Sequence, residues 1–220
     1  MFFRSAVVLS CAFAATSLVA QDAHAATIDK ESFKGSQIST TFASTTAITC
    51  ADGSAGSVSA SGFLSGSDSV TKETGTPKTT SNGIFVEIDT YSNSCTGASL
   101  SFGDGGIADG YAPPNKKLAS GGLEGVASVQ DFSTGLSISV DVALVIEGTG
   151  PITSEKSHSR TKTVQSPGGP VTITITRSAS SSRDGVVSGT ITVDGVALDA
   201  QFSSTTLSSN ASTEITITKK

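Results

Sequence analysis

The stretch Leu136-Ser137-Ile138-Ser139-Val140-Asp141-Val142-Ala143-Leu144-Val145-Ile146 decides the fold class. Six of its apolar residues, Leu136, Ile138, Val140, Val142, Leu144 and Ile146, recur at period two. That spacing lines one face of a strand and would scatter around a helix. Ile138, Val140, Val142 and Leu144 are therefore expected in the core. Gly135 precedes the run, and Gly148-Thr149-Gly150-Pro151 reads as its stop. The same alternation returns at Ile84–Ile88, Val171–Thr176 and Ile215–Ile217. Val187–Val193 and Val196–Leu198 flank Asp194-Gly195, a pair suited to a type I′ hairpin. Pro167-Gly168-Gly169-Pro170 marks another reversal, between the polar segment Lys156–Val164 and the strand at Val171. Weaker strand signals lie at Gln37–Thr49, Val58–Leu64, Ala98–Phe102 and Leu123–Val129. No window carries a helical period, and turn signals arrive every eight to fifteen residues. The expectation is an all-β antiparallel domain, a two-sheet β-sandwich with a barrel-like closed sheet as the alternative. The Ser, Gly and Thr segment 65–82 is expected to be a long loop or a mobile hairpin tip, and 104–117, with its paired Gly and Pro113-Pro114, a second long loop.

The first 25 residues read as a cleaved signal peptide. A short start with Arg4 leads into an apolar run from Ser5 to Ala20, and Ala23-His24-Ala25 suits a signal peptidase. One all-β domain, residues 26–220, would remain. The run is shorter than the roughly 20 residues a transmembrane helix needs. Lipidation at Cys11 is the other alternative, although it would leave a hydrophobic region of only about six residues. The implied location is secreted or periplasmic, with no transmembrane segment.

The 220-residue chain has 14 Lys and Arg against 19 Asp and Glu, a net charge of −5. Mild acidity argues against nucleic acid as a partner, because neutralising a phosphate backbone needs a basic surface. Of three cysteines, Cys11 leaves with the signal, and Cys50 and Cys95 remain. In an oxidising compartment an isolated pair is most simply a disulfide, worth roughly 4 kcal/mol on the chain-entropy account. A thiolate metal site or redox centre would need further ligands at close spacing. Ser and Thr make up about three residues in ten. With strand periodicity present, they read as solvent faces bearing hydroxyls, not as a disordered stalk.

Catalysis is sparsely provided for. Beyond the signal there is one histidine, His158, and no Gly-x-Ser-x-Gly elbow. Asp89, Asp104, Asp109, Glu124 and Asp131 are the carboxylates open to glycoside hydrolysis, with Tyr91 and Tyr111 as the aromatic support. Asp104 and Asp109 flank a glycine-rich segment that suits a calcium ion, yet Asp-Gly is also an ordinary turn pair, so no cofactor is expected. The most unusual constellation is Lys156-Ser157-His158-Ser159-Arg160-Thr161-Lys162. As a strand it puts four basic side chains on one face, about 6.7 Å apart. This suits phosphate or carboxylate groups of an anionic cell-surface polymer, or another surface protein. The competing reading is a charged edge strand that blocks sheet-to-sheet pairing. Thr172, Thr174 and Thr176 form a row able to order water, although threonine is an ordinary outward strand residue.

Tyr91-Ser92-Asn93-Ser94-Cys95-Thr96-Gly97, Lys116-Lys117-Leu118, Asp131-Phe132-Ser133-Thr134-Gly135, Gly148-Thr149-Gly150 and Ser157-His158 together resemble a family of uncharacterised exported bacterial β-rich proteins. That resemblance implies a secreted bacterial β-rich protein and supplies no catalytic residue. The signal, the cysteine pair and the alternating strand before Cys95 are more faintly similar to chaperone-assembled pilin subunits. Those subunits usually end near an aromatic, whereas this chain ends Ile215-Thr216-Ile217-Thr218-Lys219-Lys220. The functional expectation is a secreted, non-enzymatic binding or surface-associated module. A secreted hydrolase and a pilin-like structural subunit are the alternatives.

Overall fold

A computed structural model describes residues 7–8, 26–108, 110–165 and 167–219. The regular elements are β1 (Val7–Val8), β2 (Ala26–Thr49), β3 (Ala55–Glu73), β4 (Thr79–Asn93), β5 (Ser99–Leu100), β6 (Gly103–Ala108), β7 (Tyr111–Ala112), β8 (Ser120–Asp131), β9 (Ser137–Val164), β10 (Val171–Val193), β11 (Val196–Ala197) and β12 (Gln201–Lys219). The all-β antiparallel class is as expected. Ladders run β2–β3–β4–β6–β8–β9–β10–β12, and β12 pairs back onto β2. These eight ladders thus form one closed circuit within a single sheet. Its narrowest seam is β6–β8, with two residue pairs, beside which β7 adds Tyr111 opposite Leu123.

Alternation explains the core. Ile138, Val140, Val142, Leu144 and Ile146 of β9 point inward and are buried, Val140 and Val142 completely. Val86 and Ile88 of β4, Leu64 of β3, Ile38 of β2 and Ile191 of β10 meet them inside the circuit. At one end, Cys50 and Cys95 form the expected disulfide, with a Cα–Cα distance of 5.3 Å, joining the turns after β2 and β4. The type I′ hairpin is also present: Asp194 (φ 46°) and Gly195 (φ 79°) both adopt the left-handed backbone it requires.

At the other end the strands outrun the core. β8 stops pairing with β9 at Ser120–Glu147, while β9, β10, β12, β2 and β3, with the start of β4 beside β3, continue side by side as an open extension. β10 alone carries it from Arg183 to Val171, about 40 Å. Leu118 (1% exposed) and Tyr111 (4%) close the core beneath it.

Three expectations need correction. The segment 65–82 is the end of the β3–β4 hairpin and not a long loop, because β3 runs to Glu73 and β4 starts at Thr79. Its Ser and Gly residues pair through ladders with β2 and β4, and that pairing overrides weak strand propensity. The segment 104–117 likewise holds most of β6 and all of β7. Nor does Gly148-Thr149-Gly150-Pro151 stop the strand. It is a bulge in which Gly150, Pro151 and Ile152 face Arg183 alone, with Gly150 at φ 67°. Proline fits there because β9 is by then an edge strand, needing no amide donor on its open side.

Residues 1–6 and 9–25 lie outside the described residues, so the expected cleavage after Ala25, the apolar run and Cys11 do too. Val7 and Val8 pair with Ile28 and Thr27. No helix long and apolar enough to cross a membrane occurs among the described residues.

Candidate functional site

The face that points inward in the closed part continues along the extension. On β2, β3, β10 and β12 the alternation carries the inward set (Ile38, Leu64, Ile191, Leu207) straight outward without a change of side. On β9 the bulge sets three residues against one, which preserves the side. Lys156, His158, Arg160 and Lys162 consequently stand on this inner face, all exposed, as their alternation predicts.

The ladders then show what lies beside them. Lys156 is followed across the sheet by Ala179, Ala211 and Lys34. His158 is followed by Arg177, Thr213, Ser32 and Lys72. Arg160 is followed by Ile175, Ile215 and Lys30, and Lys162 by Ile173, Ile217 and Ile28. Two rows of cations, on β9 and on β2–β3, thus flank a centre on β10 and β12 that is apolar at Ala179 and Ala211 and at Ile173, Ile175, Ile215 and Ile217, with Arg177 and Thr213 between them. The rows on β9 and β2 are three strand spacings apart, about 14 Å. A shallow depression lies over Lys156, His158, Arg177, Ala179, Ala211 and Thr213.

The segregation of charge goes further. Of the 14 Lys and Arg, nine lie in described strands: Lys30, Lys34, Lys72, Lys156, Arg160, Lys162, Arg177, Arg183 and Lys219. All nine are on the inner face by register. Among the described residues the only carboxylate on that face of the extension is Asp68, at its base, where it accepts hydrogen bonds from the Ser36 amide (2.9 Å) and hydroxyl. The Ser36 hydroxyl also bonds Tyr111 Oη at 2.9 Å. Burial, opposed by the Ser36 bond and reinforced by the Asp68 charge, pushes the Tyr111 phenol up to about 12. This Tyr–Ser–Asp chain ties the extension to the lid of the core. The outer face carries the acids instead: Glu214, Glu31 and Glu73 stand side by side in one row, opposite Thr176. Thr172 and Thr174 also lie on that outer face.

The expected carboxylates do not converge. Asp104 and Asp131 sit at the β6–β8 seam on opposite faces, Asp104 beside Glu87 and Gln130, Asp131 buried at 1% exposure. Glu124 projects outward opposite Ala143, and Asp89 is exposed on β4. Asp109 lies outside the described residues. Among the described residues no group of three potential metal ligands gathers. His158 has Arg177 as its cross-strand partner and Lys156 and Arg160 as neighbours along β9. That is a setting for anions, with no carboxylate to orient the imidazole as a base.

The β9 row is legible in the sequence, whereas the common face of Lys30, Lys34, Lys72, Arg177, Arg183 and Lys219 is not. The alternation Lys30-x-Ser32-x-Lys34 was visible, but only the register of strands distant in sequence sets it opposite Arg160 and Lys156.

Comparison with protein-family models, with curated proteins and with solved structures found no match.

Proposed function

We propose that this chain is an exported, non-enzymatic binding module whose inner sheet face takes anionic groups at a cell surface. The observation that carries the reading is the placement of all nine strand Lys and Arg side chains on one face, in a chain whose net charge is −5. Such a face attracts polyanions locally, although the molecule as a whole is acidic. The leader-like first 25 residues and the disulfide support export to the periplasm or beyond. The interior of the closed part is apolar, and its outward face mixes polar Glu124, Ser128, Ser139 and Asp141 with exposed Phe85, Val126, Val145 and Val186. The resemblance to exported bacterial β-rich proteins fits the same reading.

Polyphosphate titrated calorimetrically into the disulfide-bonded protein tests it. Binding is expected at low salt and should weaken markedly by 0.5 M salt, where the Debye length has shrunk to about 4 Å. Arg160→Ser/Lys162→Ser should weaken it by about tenfold or more with the thermal midpoint nearly unchanged, because both side chains are exposed. Absence of binding by the unaltered protein, together with aggregation of the double variant, would instead make the β9 row an edge guard.

A further inference from the structure

The floor of the basic face is what narrows the ligand. Ile175 pairs with Ile215, and Ile173 with Ile217, forming a continuous apolar strip between the two cation rows. These isoleucines are half-buried, while the flanking Lys and Arg are exposed. Lys and Arg side chains also reach several bonds further from the sheet than isoleucine. The face is therefore a trough with cationic walls and an apolar floor. A purely polar polyanion would satisfy the walls and leave the floor unmatched, because isoleucine offers no hydrogen bond and gains only from apolar cover.

We propose that the occupant of this trough is a phosphate-bearing lipid amphiphile, its acyl chain lying along the isoleucine floor and its phosphate held by the flanking cations. The proposal rests on the reading of this face as an anion-binding surface and adds the apolar half of the ligand. The floor is two to three strands wide, about 10 Å, room for one or two acyl chains side by side. Charge complementarity supplies the other half, since Arg160 and Lys162 face Ile175 and Ile173 of β10, and Lys30 and Lys34 face Ile215 and Ala211 of β12, which leaves these cations free on their floor side to meet a phosphate.

The test uses three probes below their micelle concentrations where one exists: dodecyl phosphate, butyl phosphate and polyphosphate. Dodecyl phosphate should bind the unaltered protein at least tenfold more tightly than butyl phosphate, about 1.4 kcal/mol. Ile175→Thr/Ile215→Thr, which keeps the β-branched shape, should lose that tenfold advantage and bind polyphosphate within twofold of the unaltered protein. Retained polyphosphate binding also reports that the variant is folded. Equal affinity for the long and short phosphates, or an unchanged chain-length advantage in the isoleucine variant, would overturn the amphiphile and leave anion binding standing. Failure of all three probes would overturn anion binding itself. Salt-sensitive, concentration-dependent self-association without any probe would assign the trough to the acidic outer face of a second copy, and would also overturn the proposal.

Discussion

Asp131 shows how one side chain fixes a turn. Its Oδ1 accepts hydrogen bonds from the Ser133 hydroxyl (2.6 Å), the Ser133 amide (2.7 Å) and the Thr134 amide (3.1 Å). Its backbone closes the same loop, with its carbonyl accepting from the Gly135 amide at 2.8 Å. The Ser133 hydroxyl first, then the Ser133 amide, hold the carboxyl well below its ordinary range, at about 2. A carboxyl depressed on folding stabilises the native state above its unfolded pKa, near 3.9, and that contribution fades as pH falls through 4 towards 2. Asp131→Asn should therefore lower the thermal midpoint at pH 7, with the difference shrinking across that window. A difference independent of pH would mean that the turn depends on shape and not on charge. Asp131 Oδ2 is buried without a protein partner. The sequence marked Asp131 as a carboxylate of possible chemistry, but its burial depends on the β6–β8 seam, which joins strands of no strong alternation.

The elements divide by how much of their signal is local. The inward half of β9 was legible because its alternation is long and its inward residues are all apolar. Val142→Asp should prevent folding or cost more than about 4 kcal/mol, since it would bury an unpaired charge. Ala143→Ser, one residue along and exposed, should stay within about 0.5 kcal/mol, as measured by denaturant unfolding. Similar effects at both positions would contradict the assigned face. The outer half of β9, the middle of β10 and the end of β3 were less legible. Ser, Thr and Gly there describe a loop equally well, and only pairing with distant strands makes them extended. The glycine-proline segment misled for a related reason: it breaks a strand when isolated, and it makes a bulge when a neighbour such as β10 continues past it.

At the scale of the molecule, the closed circuit, the disulfide and the open extension do different jobs. The closed part holds the apolar core, and the Cys50–Cys95 link secures the end remote from the basic face. Cys50→Ser/Cys95→Ser should cost about 2–5 kcal/mol in unfolding free energy. It should leave polyphosphate affinity unchanged under conditions where the variant remains folded, and a parallel loss of affinity would tie the two ends together. The extension has no enclosed core of its own and presents two chemically distinct faces. Fold class, disulfide and one cation row could be read from the chain, whereas the opposing row could not, because register across β10, β12 and β2 is a property of the assembled sheet. The most direct check of that assembled face is lysine acetylation followed by mass spectrometry, with and without saturating polyphosphate at low salt. The account predicts protection of Lys30, Lys34, Lys72, Lys156 and Lys162 together, while Lys78, Lys116 and Lys117 in the turns label as before. Protection confined to Lys156 and Lys162, or spread evenly over these eight of the chain's ten lysines, would contradict a single two-walled basic face.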